Sequence, residues 1–220
     1  MSWAQTGRGT APASPVQWVR RALAERISPE LRRDAVEDPL TGALNRRADR
    51  VATARALIER REGSRVLRLL ADLDNFKMLN DLRGHAAGDR ALCVVRGALE
   101  RATRAFDVVS LARPGGDEFT LTLRVAPTAD PAAIRDRIEQ TVNHALTRAG
   151  LHYAGRRRIG ISIGVAEASG PTTLEALDAV ADDAARRRKR ARGVSAPRSA
   201  APPRRGGNRS TRPEQRSLGL

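Results

Sequence analysis

Arg113-Pro114-Gly115-Gly116-Asp117-Glu118-Phe119-Thr120 sets two glycines directly before two carboxylates. The residues that follow alternate, with Phe119, Leu121, Leu123 and Val125 apolar and Thr120, Thr122 and Arg124 polar. A period of two marks a strand with a buried face, and Val108 to Ala112, before the glycines, can pair with it, so the stretch reads as a β-hairpin. Glycine has no Cβ, so the turn can be tight and its backbone can approach a ligand, while adjacent carboxylates concentrate charge that a hard cation neutralises. Gly-Gly-Asp is also ordinary turn chemistry, and by itself the hairpin decides no function.

Outward from the hairpin, Val66 to Leu73 is a nearly continuous apolar run suited to a central strand, closed by a second acidic pair, Asp72 and Asp74. Val51, Ala54, Leu57 and Ile58 predict a helix ending near Gly63, and Leu92, Val95 and Leu99 another. Ile134, Ile138 and Val142 predict a third, Ile159, Ile161, Ile163 and Val165 a further strand, and Leu174 to about Arg190 a last helix. This order predicts an α+β fold, an antiparallel-sheet palm of the ferredoxin-like or nucleotidyl cyclase-like kind, with the helices on one face. The strand end at Asp72 and the turn at Asp117 can then meet on neighbouring strands, so that two carboxylates face one gap.

The 220 residues suffice for one well-packed domain, and the single cysteine, Cys93, rules out an internal disulfide and reads as a small core residue. No run is long enough to span a bilayer and no signal-peptide core is present, so a cytoplasmic location is expected. Absence of a Gly-Lys-Ser/Thr loop or a His/Cys cluster disfavours a P-loop NTPase or a zinc enzyme. The net charge of +15 is concentrated at the end, where residues 186–220 carry twelve Lys or Arg against Glu214 alone. Residues 193–220 read as a disordered basic tail open to an anionic partner, nucleic acid or a membrane surface, although no aromatic residue is interleaved to stack on bases. Residues 1–15 read as a flexible segment, and Val16, Val19, Leu23, Ile27 and Leu31 place an amphipathic helix over 16–36, leaving no room before Asp38 for a sizeable sensory domain.

Asp72-Leu73-Asp74-Asn75-Phe76-Lys77-Met78-Leu79-Asn80-Asp81, followed by Gly84-His85-Ala86-Ala87-Gly88-Asp89, resembles the signature of the diguanylate cyclase family, named for its Gly-Gly-Asp-Glu-Phe loop. That family condenses two GTP into cyclic di-GMP. Asp38-Pro39-Leu40-Thr41-Gly42, Asn45-Arg46-Arg47, Ser162-Ile163-Gly164-Val165-Ala166 and Ala181-Asp182 before Lys189 agree in order and spacing, so the resemblance covers roughly residues 36–190 of a domain set at 37–192. It implies a homodimer in which each protomer presents one GTP. It also implies Mg²⁺ (or Mn²⁺) held by Asp72, the Leu73 carbonyl and Asp117, with Asp117, Glu118 and Lys77 in catalytic roles. Asn75, Phe76, Lys77, Gly116 and Lys189 fall on phosphate-binding positions, and Asn80 and Asp89 on those that read the guanine edge. His85 reads as structural; His144 and His152 receive no role.

The chain departs from the family pattern in three places. Pro114 removes a backbone donor from the hairpin. Ala185 and Arg186 replace a Leu-Tyr pair, and Arg192-Gly193 replaces Gly-Arg, which predicts a looser last helix. The Arg104 to Asp107 element, which resembles the family's product-inhibition motif, lies two residues too far from Gly115 and reads as a surface Arg and Asp unless a bulge intervenes. The readings that compete with an active cyclase are a non-catalytic module binding GTP or cyclic di-GMP, and an adaptor that uses the basic tail.

Overall fold

The computed structural model of the protein describes residues 35–59, 63–103, 105–168 and 172–193. The segment 1–15 lies outside them, as do the predicted helix of 16–36 except Ala35 and Val36, and the tail of 193–220 beyond Gly193.

Helix α1 (Arg46–Ile58) begins where Asn45 accepts a hydrogen bond from the Ala48 N–H, an N-cap that satisfies one free donor of the first turn. Strand β1 (Arg65–Asp74) leads through Asn75 into α2 (Phe76–Arg83) and α3 (His85–Thr103). The hairpin is β2 (Asp107–Gly115) and β3 (Glu118–Val125). Asp130 caps α4 (Pro131–Arg148), where Pro131 occupies a first-turn position that needs no N–H. A two-residue hairpin, β4 (Tyr153–Ala154) and β5 (Arg157–Arg158), precedes β6 (Gly160–Ala168), and Thr173 caps α5 (Leu174–Ala191). The β4–β5 hairpin carries too little periodicity to be read from sequence.

The main sheet has the order β2-β3-β1-β6 with every neighbour antiparallel, the expected palm. Leu67, Leu69, Ala71 and Leu73 of β1 point to one face and join Leu92, Val95 and Leu99 of α3 with Ile138 and Val142 of α4. Val66 points to the other face and joins Ala166, Ala168, Leu177 and Ala181, so α5 covers that side, and α1 lies beside it. Helices therefore cover both faces, not one. The misleading signal was Thr120 and Thr122, which look solvent-facing in the alternation but are buried.

What buries them is a charge. Arg68, 1% exposed, donates to both Asp49 oxygens at 2.9 and 2.7 Å, to Asp178 at 2.7 Å and to Thr122 at 3.0 Å. Asp49 also accepts from Ser110 at 2.6 Å and Thr120 at 3.0 Å. Burial by itself would raise the Asp49 carboxyl, but Arg68 and the two hydroxyls hold it below its ordinary value. This network ties α1, α5, β1, β2 and β3 together.

Candidate active site

The predicted meeting of carboxylates occurs at the end of β1. The β1–β3 register sets Asp72 opposite Glu118, and the Leu73 N–H donates to the Asp117 carbonyl at 3.3 Å. Gly116 turns the hairpin at φ 56°, a left-handed conformation that favours glycine. Arg113 fixes this turn, donating to the Gly116 carbonyl from Nε at 3.0 Å and Nη2 at 2.7 Å, and to both Asp38 oxygens at 3.0 Å. Asp38 in turn accepts from the Thr41 N–H and hydroxyl. Burial pushes the Asp38 carboxyl up, but Thr41 and Arg113 outweigh it and hold it below the usual range. The Asp-Pro-Leu-Thr turn is therefore the anchor of the glycine loop, a coupling that no sequence spacing reveals.

Pro114 does not weaken the hairpin. It falls within a register shift between Ala112 and Gly115, where no ladder donor is needed, and the Arg113 N–H is taken by the Leu44 carbonyl at 2.8 Å. A second shift lies between Val108 and Ser110. Each shift absorbs one residue of β2, and Asp107 consequently stands opposite Arg124, the position that the sixth residue before Gly115 would take in an unbulged hairpin. The two residues that separated Asp107 from the motif spacing are thus taken up; Arg104 lies outside the described residues.

Burial raises the Asp72 carboxyl to about 6, with Lys189 opposing the rise and Asp117 and Glu118 adding to it. Glu118 is likewise raised, by burial first and then by Asp117. Asp74, hydrogen-bonded by the Ser162 hydroxyl at 2.8 Å, is raised by burial as well. The Lys189 ammonium, 4% exposed, contacts Asp72. Hard oxygen donors crowded enough to disfavour their own ionisation fit a divalent cation. Among the described residues no three His, Cys, Asp or Glu side chains are grouped so as to hold a metal ion by themselves.

On α2, Asn75 adopts φ 58°, Phe76 is half-buried, and Lys77 points to solvent, its side chain 87% exposed and paired with Asp81 at 2.7 Å. Asn80 Oδ1 is buried with no hydrogen-bond partner among the described residues and lies against Gly88. Asp89, the next residue of α3, is exposed beside it, so the two predicted base-reading residues share the α2–α3 junction. His85 is exposed at the start of α3 and Cys93 is exposed rather than in the core.

The last helix is not loose. Ala185 faces the sheet and Arg186 points outward to Asp182 at 2.7 Å, so no buried aromatic position has been filled by a charge. Gly164 lets α5 lie directly on β6, since a Cβ there would stand 1.8 Å from the Ala181 carbonyl oxygen. Arg188 grips the buried Glu139 of α4 with Nε and Nη2, and Arg192 contacts the same carboxylate and donates to the Ile161 carbonyl at 2.6 Å. The unusual arginines thus fasten α5 to α4. Glu139, which escaped the sequence reading, was detectable only as a charge on the apolar stripe between Ile138 and Val142.

A family model described as diguanylate cyclase, GGDEF domain, matches residues 35–194. Diguanylate cyclase DgcM of Escherichia coli (strain K12) is 34% identical over 166 residues, which are 75% of this chain and 38% of that protein. A protein in the hutH 5′ region of Streptomyces griseus is 35% identical over 176 residues, 78% of this chain and 68% of that one. Among solved structures, a sensory box/GGDEF family protein from Caulobacter crescentus superposes with a TM-score of 0.57 at 31% identity, covering 70% of this chain and 98% of that one. The coiled coil and GGDEF domain of DgcB from the same organism, in complex with c-di-GMP, gives 0.59 at 25% identity over 80% of this chain and 89% of that one. The chain thus spans well under half of the Escherichia coli cyclase. With the palm topology and the loop geometry in agreement with these matches, the chain belongs to the diguanylate cyclase family of GGDEF domains.

Proposed function

We propose that the protein is an active diguanylate cyclase that condenses two GTP into cyclic di-GMP and pyrophosphate, with a divalent cation, across a homodimer. The observation that carries this reading is the convergence of Asp72, Asp117 and Glu118 at the end of β1 with a buried Lys189 as their counter-charge. Asp72, the Leu73 carbonyl and Asp117 would hold the cation, which when bound would supply charge neutralisation and alignment to the phosphates.

The chain's own groups do the rest. Lys189, which pairs with Asp72, moves its charge to phosphate oxygens. Asn80 offers a buried unpaired acceptor to a guanine N–H, and the Asp89 carboxylate accepts from the same edge; adenine lacks that pair of donors. Gly116, Asn75 and Phe76 present backbone to the phosphates, and Lys77 releases Asp81 to reach them. The 3′-oxygen of one GTP then bonds to the α-phosphorus of the other, the bond to the β-phosphate oxygen breaks, and pyrophosphate leaves with the electron pair. The hydroxyl proton passes to Glu118, whose raised affinity for protons suits a base, and from there to solvent. The exchanged reaction closes the ring.

The test is chromatography of product from GTP and Mg²⁺, with Asp117→Ala as control. Cyclic di-GMP from the native protein and none from Asp117→Ala is expected. A folded dimer that binds GTP and makes no product would make the protein a nucleotide-binding module instead.

A further inference from the structure

Beside the site, a cleft of about 580 Å³ opens between the β4–β5 hairpin and the end of α5, lined by Asn75, Asn143, Arg156, Arg157, Arg158 and Arg192. Its one acid is Asp74, already bound by Ser162 at 2.8 and 3.0 Å. Arg186, Arg187 and Arg188 of α5, and Arg192 just after it, each pair with a carboxylate. Arg156, Arg157 and Arg158 have no carboxylate partner among the described residues, although they are adjacent and mutually repelling. Three successive exposed arginines that line one cleft with Arg192 form a cationic surface that a bound polyanion can occupy.

The hairpin is held in place. Asn75 Nδ2 donates to the Arg158 carbonyl at 2.8 Å, and Gly155 approaches Leu82 of α2. Asn75 directly follows the Asp72–Asp74 segment. Arg192 lies three residues beyond Lys189 on the same side of α5, with Nη1 3.9 Å from Asp74. Cationic side chains therefore extend from Lys189 through Arg192 to the hairpin, with Asp72, Asp74 and Glu139 set against the first two.

We infer that Arg156, Arg157 and Arg158 form an anion cleft for a phosphate chain, receiving the far end of the substrate's triphosphate or the pyrophosphate that leaves it. Guanidinium forks match phosphate oxygens in pairs, and no aromatic residue lines the cleft to stack on a base, which suits a phosphate chain better than a nucleic-acid strand. That the anion comes from GTP rests on the cyclase reading; that the cleft binds diphosphate does not.

Calorimetry on the full chain with inorganic pyrophosphate, GTP and GMP tests it. R156A/R158A should weaken pyrophosphate binding about tenfold or more and leave GMP unchanged, while the charge-matched pair R101A/R148A, neither of which lines the cleft, stays within about twofold. Loss of GTP affinity in parallel assigns the cleft to the bound triphosphate; loss for pyrophosphate alone assigns it to the free product. Equal pyrophosphate affinity in R156A/R158A and the native protein, or an equal loss in R101A/R148A, overturns the inference. A protein that makes no cyclic di-GMP yet loses pyrophosphate through R156A/R158A keeps the cleft and retires the cyclase. One that makes product with pyrophosphate binding untouched by the variant does the reverse.

Discussion

Arg68 stands in the middle of Val66-Leu67-Arg68-Leu69-Leu70-Ala71, and its burial is tolerable only because Asp49 and Asp178 meet it with hydrogen bonds at 2.7 to 2.9 Å. Removing one member of such a pair leaves a charge buried without compensation. Asp49→Ala should cost about 3–5 kcal/mol in urea unfolding, and Asp49→Leu combined with Arg68→Met should cost clearly less than either single change. A double variant no more stable than the single ones would contradict the ion-pair account. Asn80 presents the opposite case, a buried acceptor with no partner among the described residues. On the cyclase reading, Asn80→Ala should leave the melting temperature nearly unchanged while weakening GTP binding about tenfold, because the acceptor it removes has no such partner to lose.

At the scale of elements, α5 is held by close approach and by charge. Gly164→Ala drives a methyl against the Ala181 carbonyl at 1.8 Å and the Ala185 nitrogen at 2.4 Å, both backbone atoms that no rotamer change can move. The helix must lift, and with it Lys189 from Asp72. A loss of about 1–3 kcal/mol or more is expected in thermal or urea unfolding, together with a fall in activity larger than the lost folded fraction explains. Arg186→Tyr, at the position where the family pattern has tyrosine, should change stability by no more than about 0.5 kcal/mol, since the residue is exposed. A large stabilisation would mean that this position faces the sheet.

Over the whole molecule, acid sensitivity follows from the depressed carboxyls. Asp49 and Asp38 bind their protons less readily folded than unfolded, so the stability they supply is complete above the ordinary carboxylate range near 4 and disappears as the pH falls through their lower folded values. The melting temperatures of the native protein and Asp49→Asn should differ most near pH 7, and the gap should narrow progressively as the pH falls below the ordinary carboxylate range. A gap of constant size through that descent would show that the effect is not ionic. Among the described residues no helix is long and apolar enough to cross a membrane.

The sequence by itself determined the palm, because periods of two and 3.6 are local consequences of where side chains point, and it indicated that Asp72 and Asp117 come together, because a strand end and a hairpin turn on neighbouring strands can meet. It could not say that both faces of the sheet are covered. Thr120 and Thr122 look like solvent-facing alternation until Asp49 and Arg68 arrive from α1 and β1. Nor could it say that Arg113 holds the glycine loop to Asp38, that bulges absorb Pro114 and the two extra residues after Asp107, or that the arginines ending α5 grip Glu139 instead of loosening the helix. Each of these joins residues far apart in the chain whose charges are indistinguishable from surface charges until packing removes the water around them, and only the tertiary structure decides which water is removed.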